Sequence, residues 1–238
     1  MLRKHLLYLT SDHLFAYLWQ AGSLTPGPVF GADAAGLRAF ALWLADGDTA
    51  PACLLADLVE EEFQRQLMPH VGGHAGRQMR RRRLHQLYRD TPYRHASVQG
   101  RASGGRRDDR VLFCALTSPA IVNPWVAAIE RQGVPLEGIY SASLLSGALI
   151  RKLALAQPHL LLVTQQAGGL RESYFEAGQL KFSRLLQTAG HDGMAAGIAG
   201  ETERTRQFLA SIRLLERGDL LHTVILAPAA ELDALRPL

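Results

Sequence analysis

The fold is decided by residues 160–187, LLLVTQQAGGLRESYFEAGQLKFSRLLQ. The spacing predicts three short strands joined by tight turns. Residues 160–163 form a continuous apolar run, as a strand covered on both faces requires. Ala167-Gly168-Gly169 then gives a turn in which two residues lack Cβ. Residues 172–176 follow, Ala177-Gly178 turns the chain again, and 179–186 sets Leu180, Phe182 and Leu185 against polar neighbours. In an α/β setting, a buried strand followed by a glycine turn can aim backbone N–H groups at a phosphate. The same spacing also fits a plain antiparallel meander.

Upstream, residues 6–9 and 14–19 read as a hairpin about Thr10-Ser11-Asp12-His13. Gly22, Pro26, Gly27 and Pro28 are expected to break the chain before Val29-Phe30. Asp33 is the expected N-cap of a helix over 34–44, with Leu37, Phe40, Ala41 and Leu44 on one face and Asp46-Gly47-Asp48 at its end. A buried strand is expected over 53–59. Residues 60–92 are the least regular: Glu60-Glu61-Glu62 reads as a helix start, and a break and an arginine-rich helix follow. In that helix Met79, Leu84, Leu87 and Tyr88 share a face, leaving Arg80, Arg81, Arg82 and Arg83 solvated. Residues 94–99 and 110–116 read as a hairpin around a polar loop. Pro119 and Pro124 open a helix to Gln132 whose apolar side is Trp125, Ala128 and Ile129, closed by Gly133. A short strand over 136–140 and a helix over 143–156, capped by Ser141 or Ser143, lead into the central stretch. Beyond it, Met194, Ile198, Phe208, Ile212 and Leu215 keep helical spacing. A last strand at 223–226 and a helical turn at 231–235 complete the pattern. No repeat of fixed period is evident. Hairpins followed by alternating helices and strands indicate a mixed-sheet α/β protein, with a boundary near residue 157 at Gln157-Pro158.

Composition narrows the function classes. At 238 residues with 47% hydrophobic and 20% charged residues, the chain is an ordinary globular protein of one large domain or two smaller ones. No apolar run reaches the roughly 18 residues that span a bilayer. The basic start MLRKHLLYLT is interrupted at Thr10 too early for a signal peptide, so a cytoplasmic product is expected. Cys53 and Cys114 lie in apolar runs and read as reduced core residues. The formal net charge is +4, and all but Lys4, Lys152 and Lys181 of the 26 basic residues are arginine, a hint of acidic partners.

The order of a tryptophan-bearing helix, glycine, short strand, Leu/Ala helix, strand, glycine turn and hairpin resembles a known family. It is similar to the actin-like domains of pilus and type II secretion assembly proteins, PilM-like and GspL cytoplasmic-domain-like. The residues that carry the resemblance are Asn123-Pro124-Trp125-Val126-Ala127-Ala128-Ile129-Glu130, Gly133-Val134-Pro135 and Gly138-Ile139-Tyr140, continued by 144–149 and 160–184. It covers 120–187 well, the amino-terminal hairpin loosely and 60–110 hardly at all. The resemblance implies an actin-like (ribonuclease H-like) two-lobed α/β fold with mixed β-sheets flanked by helices. The first lobe would span 1–157, with 60–110 a divergent insertion-like region, and the second, reduced lobe 158–238. In that superfamily an Asp-x-Gly hairpin in each lobe clamps nucleotide phosphates and magnesium. Here Thr164 and Gln166 occupy the second hairpin's acidic and glycine places, although Gly168 and Gly169 remain in the turn, and the first hairpin has Asp12 but no glycine.

The resemblance therefore implies a non-catalytic cytoplasmic scaffold of a type IV pilus or type II secretion apparatus, with no catalytic residue, no metal and no required cofactor. Its partners would be a peptide, or the assembly ATPase, of an inner-membrane platform, with the membrane face reached through a partner or through an anchor beyond Arg236-Pro237-Leu238. The alternative is an ATP- and magnesium-binding member of the superfamily, which needs Asp12, Gly168, Gly169 and Asp192 at the nucleotide, or Glu172 in place of a missing acid. A second alternative is a basic nucleic-acid-binding protein built on Arg77, Arg80, Arg81, Arg82 and Arg83. The same arginines otherwise form a solvated face or a docking patch for an acidic protein; no aromatic platform accompanies them. His70 and His74 lack further ligands at metal spacing and read as loop histidines. His191 or Asp192 reads as a helix cap, with catalysis as the lesser reading. Glu60-Glu61-Glu62 points three ways on a helix start, where negative charge is favoured by the dipole alone. Trp19, Trp43 and Trp125 read as core anchors.

Overall fold

The structure is a computed structural model that describes residues 3–47, 50–187 and 194–229. The chain divides into two compact units, Met1–Ala142 and Ser143–Leu238.

The first unit begins with an antiparallel meander: β1 (Arg3–Leu9), β2 (His13–Gln20) and β3 (Ser23–Gly31). Apolar residues alternate along β1, so Leu7 and Leu9 are buried while Lys4, Leu6 and Tyr8 are half-buried. β3 runs through Pro26 and Pro28, where the sequence led us to expect a break. Its position explains this: β3 is the outer strand of its sheet, where a missing backbone donor is tolerated. Helix α1 (Ala34–Asp46) starts at Asp33, whose Oδ1 accepts the Gly36 N–H at 2.7 Å. β4 (Ala52–Ala56) then pairs parallel to β1.

Next comes a block with its own small sheet: β5 (Glu61–Met68), helix α2 (Gly73–Leu87), β6 (Arg94–Arg101) and β7 (Asp109–Leu116), in the order β5-β7-β6. Glu61 and Glu62 therefore lie in a strand and not at a helix start. β7, buried at every position except Arg110, supplies the apolar surface that β5 lacks, so tertiary pairing overrides local sequence. Met68, Tyr88, Val111, Phe113 and Ala115 form a separate core beneath Met79, Leu84 and Leu87 of α2.

Helix α3 (Pro119–Arg131) begins at Pro119 and carries Pro124 in its interior. Its Trp125 and Ile129, with Phe40 and Leu44 of α1, cover Leu7, Leu9, Leu14 and Leu54 of the larger sheet. Phe40 meets Trp125 edge-on at a centroid distance of 5.3 Å. β8 (Leu136–Ser141) joins parallel to β4, completing the order β3-β2-β1-β4-β8.

Helix α4 (Ala142–Lys152) leads the second unit, so the division of the chain falls at Ala142/Ser143, earlier than the expected boundary near 157. The reason is local: Ser143 is fully buried and bonds Ser183 and Arg171, residues of the sheet that follows. That sheet contains β9 (His159–Gln166), β10 (Gly169–Glu176) and β11 (Gln179–Leu186), the meander expected from the glycine turns. Helix α5 (Met194–Ser211) crosses to β12 (His222–Leu226), which pairs parallel to β9 in the order β11-β10-β9-β12. The two units thus share a plan, a three-stranded meander followed by a helix and a strand parallel to the meander's first. The expected helical turn at 231–235 lies outside the described residues.

Candidate functional site

In open α/β sheets, ligands gather at the carboxyl ends of parallel strands. In the first unit those ends are Thr10 after β1, Asp57 after β4 and Ser141 of β8. Thr10 closes its turn on itself: Oγ1 accepts the His13 N–H and donates to the His13 carbonyl, both at 3.1 Å. Asp12 is exposed at the tip, and its carbonyl accepts the Ala32 N–H at 2.8 Å. Asp57, which sequence reading did not single out, is 1% exposed. The Tyr8 hydroxyl donates to its Oδ2 at 2.5 Å, and its N–H donates to the Leu9 carbonyl at 2.8 Å. Ser141 donates to Glu61 Oε1. Glu60 carries a buried Oε2 with no hydrogen-bond partner among the described residues. An acid at the end of the apolar run 53–56 was the available signal for Asp57. This strand end presents carboxylates held by hydroxyls, a setting that repels a phosphate unless a cation intervenes. Among the described residues no group of three or more His, Cys, Asp or Glu side chains could hold a metal ion.

In the second unit the β9–β10 turn is formed by Ala167 and Gly168, and Gly169 opens β10. Gly169 has φ +123°, and a Cβ there would stand 2.2 Å from the Leu186 carbonyl oxygen. Its missing side chain is thus accounted for by the close passage of β11. Thr164 is buried near the end of β9, and Gln166 is exposed. Asp192 and His191 lie outside the described residues.

The same sheet buries polar groups on both faces. On one, Arg171 donates to Ser143 and, at 3.1 Å, to Ser183, whose Oγ also meets Ser173 at 2.9 Å. On the other, Glu172 is fully buried and accepts from Arg184 Nε at 2.9 Å and from the Thr205 hydroxyl. Arg184 also bonds Glu201 Oε2 at 3.1 Å, tying α5 to β10 and β11. Glu172 therefore serves a packed ion-pair network, and its carboxylate is covered.

The histidines separate. His70 bonds Asp109 Oδ1 through Nδ1 at 2.9 Å and meets Arg101 through Nε2 at 2.5 Å, fastening the loop end of the β6–β7 hairpin. His74 is exposed at the start of α2. Cys53 donates to Glu137 Oε2 at 3.5 Å, beside the Lys4–Glu137 ion pair; burial first, then that carboxylate, raises its thiol. Burial pushes the Cys114 thiol up to about 12.

Helix α2 places Arg77, Arg81 and Arg82 in solvent and leaves Arg80 and Arg83 half-buried. Arg83 donates to Gln66 Oε1 at 2.7 Å.

The two units, each a meander crossed to a parallel strand, define an actin-like α/β fold, and the comparisons agree. A PilM–PilN type IV pilus biogenesis complex aligns with a TM-score of 0.62 at 12% identity, over 96% of this chain and 82% of that one. A Bacteroides thetaiotaomicron protein described as having an actin-like ATPase fold and unknown function aligns at 0.53 and 8% identity, over 99% and 86%. The cytoplasmic domain of EpsL, an inner-membrane component of the Vibrio cholerae type II secretion system, aligns at 0.50 and 13% identity, over 95% and 82%. No protein-family model and no curated protein matches the sequence. No helix among the described residues is long and apolar enough to cross a membrane.

Proposed function

We infer that this chain is a non-catalytic scaffold of a type IV pilus or type II secretion apparatus, working at the cytoplasmic face of an inner-membrane platform. The observation that carries the reading is the fold shared with the protein of the PilM–PilN complex and with EpsL, both named for such assemblies. The turns add support. The β1–β2 turn is closed by a threonine, and the glycine that opens β10 is fitted to the backbone of β11. On this reading neither turn is required to hold a phosphate. The chain would act by holding a partner peptide or the assembly ATPase through its surfaces.

In-cell crosslinking in the native host tests this, with components of a pilus or secretion platform as the expected partners. Recovery of partners unrelated to envelope assembly overturns it. The nucleotide-binding alternative is separated by a thermal melt with Mg-ATP. A ligand at about 100 times its dissociation constant adds about 2.7 kcal/mol, and the scaffold reading expects no shift. A shift abolished by Asp12→Ala would install the nucleotide-binding reading instead.

A further inference from the structure

Helix α2, GHAGRQMRRRRLHQL, contains no acidic residue. Elsewhere in the described chain Arg101, Arg106, Arg184, Arg204 and Arg206 each sit beside a carboxylate. Arg77, Arg80, Arg81, Arg82 and Arg83 have none among the described residues. Exposed His74, Arg77, Arg81 and His85 fall at helical spacing on one stripe, which at 1.5 Å per residue extends about 16 Å. Beside it lies a shallow groove with Met68 and Met79 as its apolar floor and Ala75, Gln78, Arg82 and Gln86 along its walls.

Each feature selects among anionic partners. Met79, Leu84 and Leu87 of α2 pack on the sheet beneath, and of the three only Met79 also lines the groove, so the helix lacks the broad apolar face that sinks into a bilayer. Its outward face bears no Phe, Tyr or Trp, the broad rings on which successive bases stack. A floor of methionine accommodates an apolar side chain, and flanking amides and guanidinium groups suit a peptide backbone and carboxylates. We propose that the α2 groove docks an acidic peptide segment, setting apolar anchor residues one helical turn apart on Met68 and Met79 and its carboxylates on the arginines.

This rests on the scaffold reading above and names the chemistry of its partner. The test uses the full chain and a fluorescein-labelled peptide of about 12 residues, rich in Asp and Glu with two leucines a helical turn apart. Comparators are the same peptide with the leucines replaced by serine, phosphatidylglycerol vesicles and a DNA duplex. The leucine peptide is expected to bind at least about tenfold more tightly than the serine peptide, and more weakly as salt rises. The double variant Arg81→Glu/Arg82→Glu should weaken it by about tenfold or more, with Arg81→Gln/Arg82→Gln between. Ala75→Glu should remove the advantage of leucine. Equal binding of both peptides, preference for vesicles or DNA, or indifference to these exposed substitutions overturns the proposal. Native-host crosslinking separates the two readings. Envelope partners retained by Arg81→Glu/Arg82→Glu leave the scaffold standing without this groove; peptide docking with unrelated partners leaves the groove without the scaffold.

Discussion

Gly169→Ala should destabilise the second unit strongly, whether or not nucleotide is present. The added Cβ would lie 2.2 Å from the Leu186 carbonyl oxygen, 3.1 Å from its carbon and 3.3 Å from the Gln187 Cα. All three are backbone atoms, so no side chain can swing aside. The residue's φ of +123° is itself unfavourable for alanine, by about 1–3 kcal/mol. Forcing β11 away from β10 adds about 1–3 kcal/mol of overpacking. The middle of the sum is about 4 kcal/mol, a fall in melting temperature of roughly 8–16 °C for a chain of this size. Gly178→Ala is the control: φ is +73° but nothing lies within 4 Å, so only a left-handed penalty of about 1 kcal/mol applies. Calorimetric melts and urea titrations of both variants measure the difference. If Gly169→Ala is no worse than Gly178→Ala, the close-packing account is wrong. If it leaves the unliganded melt unchanged and abolishes an ATP-dependent shift, the glycine is there for an anion.

Two further outcomes follow from the buried groups. Thr205→Val removes a hydroxyl that donates to the fully buried Glu172 without changing volume; a loss of about 1.5–3 kcal/mol in urea unfolding is expected, and under about 0.5 kcal/mol would mean the carboxylate does not depend on it. Burial raises Cys114 from 9.0 to about 12, so its neutral thiol contributes fully below pH 9 and its contribution is lost as pH rises from there to about 12. Urea midpoints at rising alkaline pH should fall, and Cys114→Ala should flatten that fall; parallel slopes for both proteins would refute this.

The meander was legible because Gly168, Gly169, Ala177 and Gly178 punctuate runs of strand length, and α1 because Asp33 precedes an apolar face. What stayed hidden depended on partners distant in sequence. Nothing in Glu61-Glu62-Phe63-Gln64 marks a strand until β7 lies beside it. Pro26 and Pro28 argue for a break unless the strand is known to be outermost. Glu172 has the sequence appearance of a solvated acid, and only the register that sets it opposite Arg184, under Thr205, explains its burial. For the candidate sites, the sequence marked the arginines of α2 but not the methionine floor beside them, because Met68 reaches it from another element.

The two sheets repeat one plan, β3-β2-β1-β4 in the first unit and β11-β10-β9-β12 in the second. Between β4 and α3 the first copy carries the sheet β5-β7-β6 and helix α2, and the described residues of the second copy hold no counterpart. The arginine helix therefore stands on an addition with its own small core, outside the repeated frame. Substitutions on the exposed face of that helix leave the hydrogen-bonded frame of both meanders untouched.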